Sequence, residues 1–334
     1  MRGLDEFVHE ANTGVGLSIT TFEVTSSPPV VVGHLRRLCA AIADPDVAHI
    51  ALERGVISAE EDRYGPSPLD GWSVGLRYGN RGPGLLGNAQ LAAHLLDGDA
   101  VAAWCRSRLH RGNAVLVLDG PPPEGLALPL PDGPPVPRAL PPVIELSTPA
   151  YAATPMPGLM VVMHRPWSAE LATGLHVLDS RLTRRLHREA GLIYEIDVEL
   201  SHVLDGTACI GMRIDAPDAQ VPAVWAHVQE ALDELCTDGP SEADLQRDRD
   251  QLRESRDDVA QDARDRALDV ACELLTGIVP SVVEQDRVLA GLDPHQVTLA
   301  LRAARDSMVV SVPFGVDPPA SAPCSGRPCP AGAP

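Results

Sequence analysis

Two groups of residues have the types and the spacing to do chemistry. Glu53 and Glu60 stand seven apart in the helix-patterned stretch HIALERGVISAEEDR, so their carboxylates share one helix face two turns apart and can point into one site. Taken alone, that spacing describes two solvated glutamates on an acidic helix. His49 and Glu53 are four apart and can in principle chelate a metal, but two ligands on one helix do not make a site. Arg188 and Tyr194 form the second group. They flank Gly191, where a helix stops and a strand begins. From such a place a guanidinium and a phenol can reach the backbone carbonyl of a bound chain with a charge-assisted and a phenolic hydrogen bond. The plainer alternative has Arg188 satisfying the last helical carbonyls and Tyr194 half-buried in the strand.

Other chemical motifs fail on inspection. Gly82, Gly84 and Gly87 spell G-x-G-x-x-G, but no clear strand leads into them, Pro83 stands inside, and no acidic residue follows at ribose distance, so a dinucleotide site is excluded. His9 and Glu10 begin H-E-x-x-H, but position 13 is Thr13.

The elements that must position Arg188 and Tyr194 lie in HVLDSRLTRRLHREAGLIYEIDVEL, residues 176–200. Leu175, Leu178, Leu182 and Leu186 recur at three- and four-residue steps, the period of an amphipathic helix. Gly191 ends that helix, because glycine tolerates positive φ. The basic run Arg184, Arg185, His187, Arg188 suits its negative C-terminal end. Leu192–Leu200 alternates and reads as a strand.

This order, a helix with S-R-L, then R-E-x-G-L-x-Y, then a strand, resembles the second domain of the insulinase/pitrilysin family of zinc peptidases, the inverzincins, particularly the mitochondrial-processing type. Ser180, Arg181 and Leu182 match the first signature; Arg188, Glu189, Gly191, Leu192 and Tyr194 match the second. E-R-x-V-I-x-x-E at residues 53–60 resembles a third. The resemblance implies that Arg188 and Tyr194 are a substrate-binding pair holding the peptide backbone across from zinc, that Glu60 is the third zinc ligand and that Glu53 is an assisting catalytic carboxylate. The family's H-x-x-E-H, which supplies two histidine ligands and a glutamate base, occurs nowhere in the 334 residues.

The implied fold is α+β: two related α/β domains of the mitochondrial-processing-peptidase type, with mixed, mostly antiparallel sheets and helices packed on one face, the first domain being N-terminally incomplete. The expected boundaries are 1–120 for the first domain, 121–150 for a proline-rich linker, 151–315 for the second domain and 316–334 for a disordered tail. In the first domain Leu4, Phe7 and Val8 read as a helix end and Leu17–Val24 as a strand. Helices are expected at Val30–Ala43, with His34 partly exposed, and at Ala89–His110. Residues 65–90 read as a Gly/Pro-rich loop and Ala114–Leu118 as a buried strand. In the second domain a strand Leu159–Met163 leads to a helix capped near Ser168. A hairpin turns at Asp205-Gly206 into Thr207–Asp215, and a helix follows over Val221–Cys236. A long helix starts at the Ser241/Asp244 cap pair, with Asp244/Arg247, Asp250/Arg253 and Asp262/Arg266 pairs and a Leu245, Leu252, Val259 stripe. A helix Pro294–Arg305 and a strand Met308–Pro313 complete the order.

Composition narrows the function class. A net charge of −19 argues against nucleic-acid and anionic-membrane partners, and 44% hydrophobic residues suit a globular chain. Seven scattered cysteines, Cys39, Cys105, Cys209, Cys236, Cys272, Cys324 and Cys329, fit free thiols in a reducing compartment. With an acidic N-terminus that lacks an export signal's apolar core, they point to a cytoplasmic protein; the Ala-, Arg-, Asp- and Pro-rich usage suits a high-GC bacterium. The functional expectation is a zinc-dependent endopeptidase chain acting on peptides. It is either truncated before its zinc helix, which would then lie upstream of Met1, or the non-catalytic subunit of a homo- or heterodimer with another chain of the family. Zinc would enter only with an H-x-x-E-H helix supplied upstream or by that partner, and the chain alone is expected to be inactive. A catalytically dead binding or assembly protein on the same fold is the alternative.

Overall fold

A computed structural model describes residues 10–64, 68–87, 95–154, 156–278 and 281–316. The expected helix end at Leu4–Val8, the start of the Ala89 helix and the tail thiols Cys324 and Cys329 lie outside the described residues. In chain order the elements are β1 (Glu10–Val15), β2 (Thr20–Thr25), α1 (Pro28–Ala43), α2 (Ile50–Tyr64), α3 (Pro68–Tyr78), α4 (Gly98–Arg108), β3 (Ala150–Thr154), β4 (Leu159–Pro166), α5 (Ala169–Leu182), β5 (Ile196–Leu204), β6 (Thr207–Ile214), α6 (Val221–Thr237), α7 (Glu242–Ser255), α8 (Val259–Thr276), α9 (Ser281–Ala290), α10 (Pro294–Asp306) and β7 (Val309–Pro313). Their contacts divide the chain into two compact units. One draws on Met1–Gly65, Asn88–Ala139 and Ala263–Gly277, the other on Pro66–Gly87, Leu140–Asp262 and Ile278–Pro334. Residues 66–87 therefore pack with the second unit, although the sequence places them inside 1–120.

The second unit is built on a five-stranded sheet of order β3-β7-β4-β6-β5, antiparallel except for the β3–β7 pair. One face carries α5, α6 and α10. Leu178, Leu182 and Leu186 from the first, Val224, Val228, Leu232 and Leu235 from the second, and Val297 and Leu301 from the third close on Val161, Met163, Ile210 and Met212. Each such fully buried aliphatic side chain contributes about 1.5–3 kcal/mol. Asp205 and Gly206, both at positive φ, turn β5 into β6 as the sequence predicts.

The opposite face, expected to be free of helices, carries α3. Leu69 and Leu76 bury against Met160, Val162 and Val309, with Trp72 packed alongside. Leu69 lies directly over Gly211 of β6, where a Cβ would come within 2.5 Å of it. His164 Nε2 meets the Ser73 carbonyl at 2.8 Å, and Arg77 reaches Asp205 at 3.5 Å and Thr207 at 3.3 Å. Burial lowers the His164 imidazole below its ordinary value, disfavouring its charged form. The loop expectation for residues 65–90 is corrected here: Gly71 and Gly75 lower helix propensity, and burial against the sheet overrides it.

The first unit has less regular structure among the described residues. β1 and β2 form an antiparallel hairpin, and α1 buries Leu35, Leu38, Cys39 and, against expectation, His34. Ala114–Leu118 is not a strand. It is extended without a paired neighbour, and Val115, Leu116 and Val117 are exposed, because a short apolar run becomes a strand only where another strand accepts its hydrogen bonds. The proline-rich stretch has no regular structure and is held to this unit by Arg36 on the Gly125 carbonyl at 3.3 Å and the Arg111 N–H on the Pro131 carbonyl at 2.9 Å.

The long helix after Ser241 is broken at residues 256–258 into α7 and α8, and Val259 is 79% exposed, so Leu245, Leu252 and Val259 form no continuous seam. Among the described residues no helix is long and apolar enough to cross a membrane.

Candidate functional site

Ser168 accepts a hydrogen bond from the Leu171 N–H at 3.2 Å and starts α5, which runs against α6, α7, α9 and α10. Past Leu182 the helix widens into π-helical turns over Thr183–Glu189; the Ala190 N–H bonds the Arg185 carbonyl, five residues back, at 2.9 Å. Leu186 stays fully buried through this widening, which swings His187, Arg188 and Glu189 outward. Gly191 then takes φ +61° and stops the helix, and the Leu192 N–H closes back on the Leu186 carbonyl at 2.9 Å.

The strand begins at Ile196 rather than Leu192, since Ile193 first drops into the core. This leaves Tyr194 at a bend before the strand, 82% exposed. Arg188 is also exposed, and it makes no hydrogen bond or ion pair among the described residues. Neither plain alternative for the pair describes it: Arg188 does not cap the helical carbonyls, and Tyr194 is not half-buried in the strand. Arg188 and Tyr194 thus lie six residues apart on either side of the Gly191 stop, ahead of the edge strand β5, each exposed and without a hydrogen-bond or ion-pair partner among the described residues.

Behind this end a polar layer fixes the helix. Arg181 bonds Asp244 at 3.0 Å and lies 3.6 Å from Glu234, and Arg185 bonds Glu234 at 2.5 Å. Asp244 also completes the Ser241 capping box of α7, as predicted. These donors hold its carboxyl at about 2, against the cost of burial. The arginine of S-R-L thus ties α5 to α6 and α7. A depressed carboxylate stabilises the fold above its unfolded value, near 3.8, and that contribution is lost as the pH falls through about 2. Arg181→Ala is accordingly expected to cost roughly 1.5–3 kcal/mol at neutral pH and progressively less between pH 4 and pH 2, read from urea melts across that range.

A second buried carboxylate, Asp248, accepts the Thr173 hydroxyl and the His176 Nδ1–H, the latter at 2.9 Å. The hydrogen bond to Asp248 raises the His176 imidazole, and the bonds from His176 and Thr173 hold Asp248 below the usual carboxylate value despite its burial. The spacing carries a sign of this group: Asp248 falls three residues after Leu245, on the apolar stripe of α7, where a carboxylate must find buried donors.

Glu53 and Glu60 are both on α2, in the first unit, and both are exposed, beside the exposed Leu52, Val56 and Ile57. Among the described residues no group of three His, Cys, Asp or Glu is placed to hold a metal. Two solvated carboxylates fall short of the three protein ligands a catalytic zinc keeps, so the residues present do not make a zinc centre. The described cysteines form no disulfides, and burial raises each thiol, Cys209 to about 12, which disfavours the reactive thiolate.

Residues 169–252, which hold α5, the π-helical end, Arg188, Tyr194 and the Asp244 and Asp248 anchors, match the family described as the Peptidase M16 inactive domain. That stretch of the chain is similar to an M16 inactive domain. M16 is the insulinase/pitrilysin peptidase family, and an inactive domain without H-x-x-E-H agrees with the sequence. No curated protein matches the chain. Among solved structures, the fold is similar to a peptidase M16 inactive domain from Pseudomonas fluorescens (TM-score 0.69, 14% identity, 93% of this chain and 82% of that one). It is also similar to pitrilysin (0.63, 17%, 95% and 38%) and to a protease from Helicobacter pylori (0.63, 12%, 93% and 83%). At these identities the likeness concerns the fold. The chain spans little more than a third of the length of pitrilysin.

Proposed function

We propose that this M16 chain is the substrate-holding, non-catalytic part of a peptidase assembly. Arg188 and Tyr194 grip the main chain of an extended peptide, and hydrolysis takes place on a zinc-bearing M16 domain, on another chain or elsewhere in a longer polypeptide. The observation that carries this reading is the pair itself: both side chains are free and solvent-facing at one reinforced helix end. A structural arginine in this fold looks different, as Arg181 and Arg185 demonstrate with their carboxylate partners. The exposed Glu53 and Glu60 support placing the metal chemistry on the other domain.

Titration of a fluorescein-labelled extended peptide library into the isolated chain, read by anisotropy, tests the reading. Saturable binding that unlabelled peptide competes away is expected. No binding by any member would favour an assembly protein on the same fold. Elemental analysis of the same preparation is expected to find well under one zinc per chain, with no chelator-sensitive peptide hydrolysis, because the described ligand set is incomplete. Stoichiometric zinc together with chelator-sensitive cleavage would overturn the non-catalytic assignment.

A further inference from the structure

The second unit holds a cavity of about 420 Å³ between α5 and the edge strand β5. Its floor is apolar, from Leu175 and Ile210, and the indole of Trp167 forms one wall. The polar lining comes from His176, Asp179 and Asp197. The charges around it are unequally matched. Asp197 is taken by Arg213, whose Nη2 and Nε lie 2.5 and 3.1 Å from it. His176 is held through Nδ1 by Asp248, so a protonated imidazole there is offset by that carboxylate. Asp179 has no ion pair among the described residues and takes only a hydroxyl hydrogen bond from Thr183. Burial pushes its carboxyl up, an effect that the charge of His176 opposes. A half-buried carboxylate with no ion pair of its own among the described residues, over an apolar floor and beside an indole, is suited to one kind of guest.

We infer that this cavity binds an organic cation with an apolar body, an alkylguanidinium or alkylammonium. Asp179 meets the charge, the Trp167 ring flanks it, and Leu175 and Ile210 receive the hydrocarbon stem. The volume suits a group the size of an arginine side chain or a small free amine. A bare metal ion lacks a ligand set here among the described residues. The inference stands apart from the Arg188/Tyr194 reading, because the cavity needs no grip on a peptide backbone.

Calorimetric titration of the full chain with butylguanidinium and with a capped arginine tripeptide tests it, beside their neutral isosteres butylurea and the citrulline tripeptide. The cationic probes are expected to bind about tenfold more tightly than the isosteres, and Asp179→Asn to bring that ratio to about one, the amide keeping a hydrogen bond to Thr183. A peptide that outbinds butylguanidinium by about tenfold or more identifies a basic side chain as the natural guest; equal affinity identifies a free amine. The inference is overturned if neither cation binds at millimolar concentration, if isosteres bind equally, or if the preference survives Asp179→Asn in a variant with an unchanged circular dichroism spectrum. Arg188→Ala, which lies outside the cavity, leaves butylguanidinium binding as it was, so failure of the peptide grip and failure of the cavity read out separately.

Discussion

Arg188→Ala weakens peptide binding by about 10- to 100-fold while leaving the melting temperature in place. The magnitude follows from losing one charge-assisted hydrogen bond to a main-chain carbonyl, about 1.5–3 kcal/mol, at about 1.4 kcal/mol per factor of ten. The unchanged stability follows from the free state: the guanidinium is exposed and makes no hydrogen bond or ion pair among the described residues, so truncating it strands no partner. Tyr194→Phe removes only the phenolic hydroxyl from an 82% exposed ring, and about 1 kcal/mol, or roughly fivefold, is expected. Arg181→Ala is the informative control, because Asp244 and Glu234 each lose a cationic partner that ties α5 to α7 and α6, and stability falls instead. Anisotropy titrations and thermal melts on the three variants separate the two effects. Wild-type peptide affinity in both Arg188→Ala and Tyr194→Phe would remove the gripping role.

Leu182→Ala produces the largest loss of stability. Leu182 is fully buried at the junction where α5 widens, among leucines that pack the helix onto the sheet and against α6 and α10. Truncating such a leucine costs the transfer energy of the lost methyls and leaves a cavity that the surrounding strands and helices fill only in part. About 3–4 kcal/mol is expected, a fall of roughly 6–16 °C in the melting temperature of the second unit. Because Leu182 also supports the turns that present Arg188, some loss of peptide affinity accompanies it even well below the melting point. A cost under about 1 kcal/mol would mean that the site collapses freely and that the π-helical end is not held by the core.

Much of the second unit is legible in the amino-acid order because its determinants are local. The Leu175–Leu186 periodicity, the Ser168 cap, the Gly191 stop, the Asp205-Gly206 turn, the apolar face of α6 and the Ser241/Asp244 capping box each involve residues within a few positions of one another, and each stands where expected. The same locality carries the resemblance to the insulinase/pitrilysin family, two of whose three signatures, at residues 180–182 and 188–194, fall inside the matched residues 169–252. Where the reading failed, the deciding partner was distant. The α3 segment looks like a loop until Leu69 meets Gly211 and Leu76 meets the sheet, more than eighty residues along the chain. Ala114–Leu118 looks like a strand, but a run of apolar residues cannot specify whether another backbone will pair with it. The sequence by itself determined the helix and the stop around Arg188 and the presence of a strand after them, though that strand starts at Ile196 rather than Leu192. Only the tertiary structure decided that Arg181 and Arg185 are spent on carboxylates while Arg188 has no such partner among the described residues, that Glu53 and Glu60 face solvent, and that Asp179 overlooks a cavity with no ion pair of its own. Periodicity assigns a side chain to a face; whether that face meets a partner, water or a void depends on chain segments brought together only by folding.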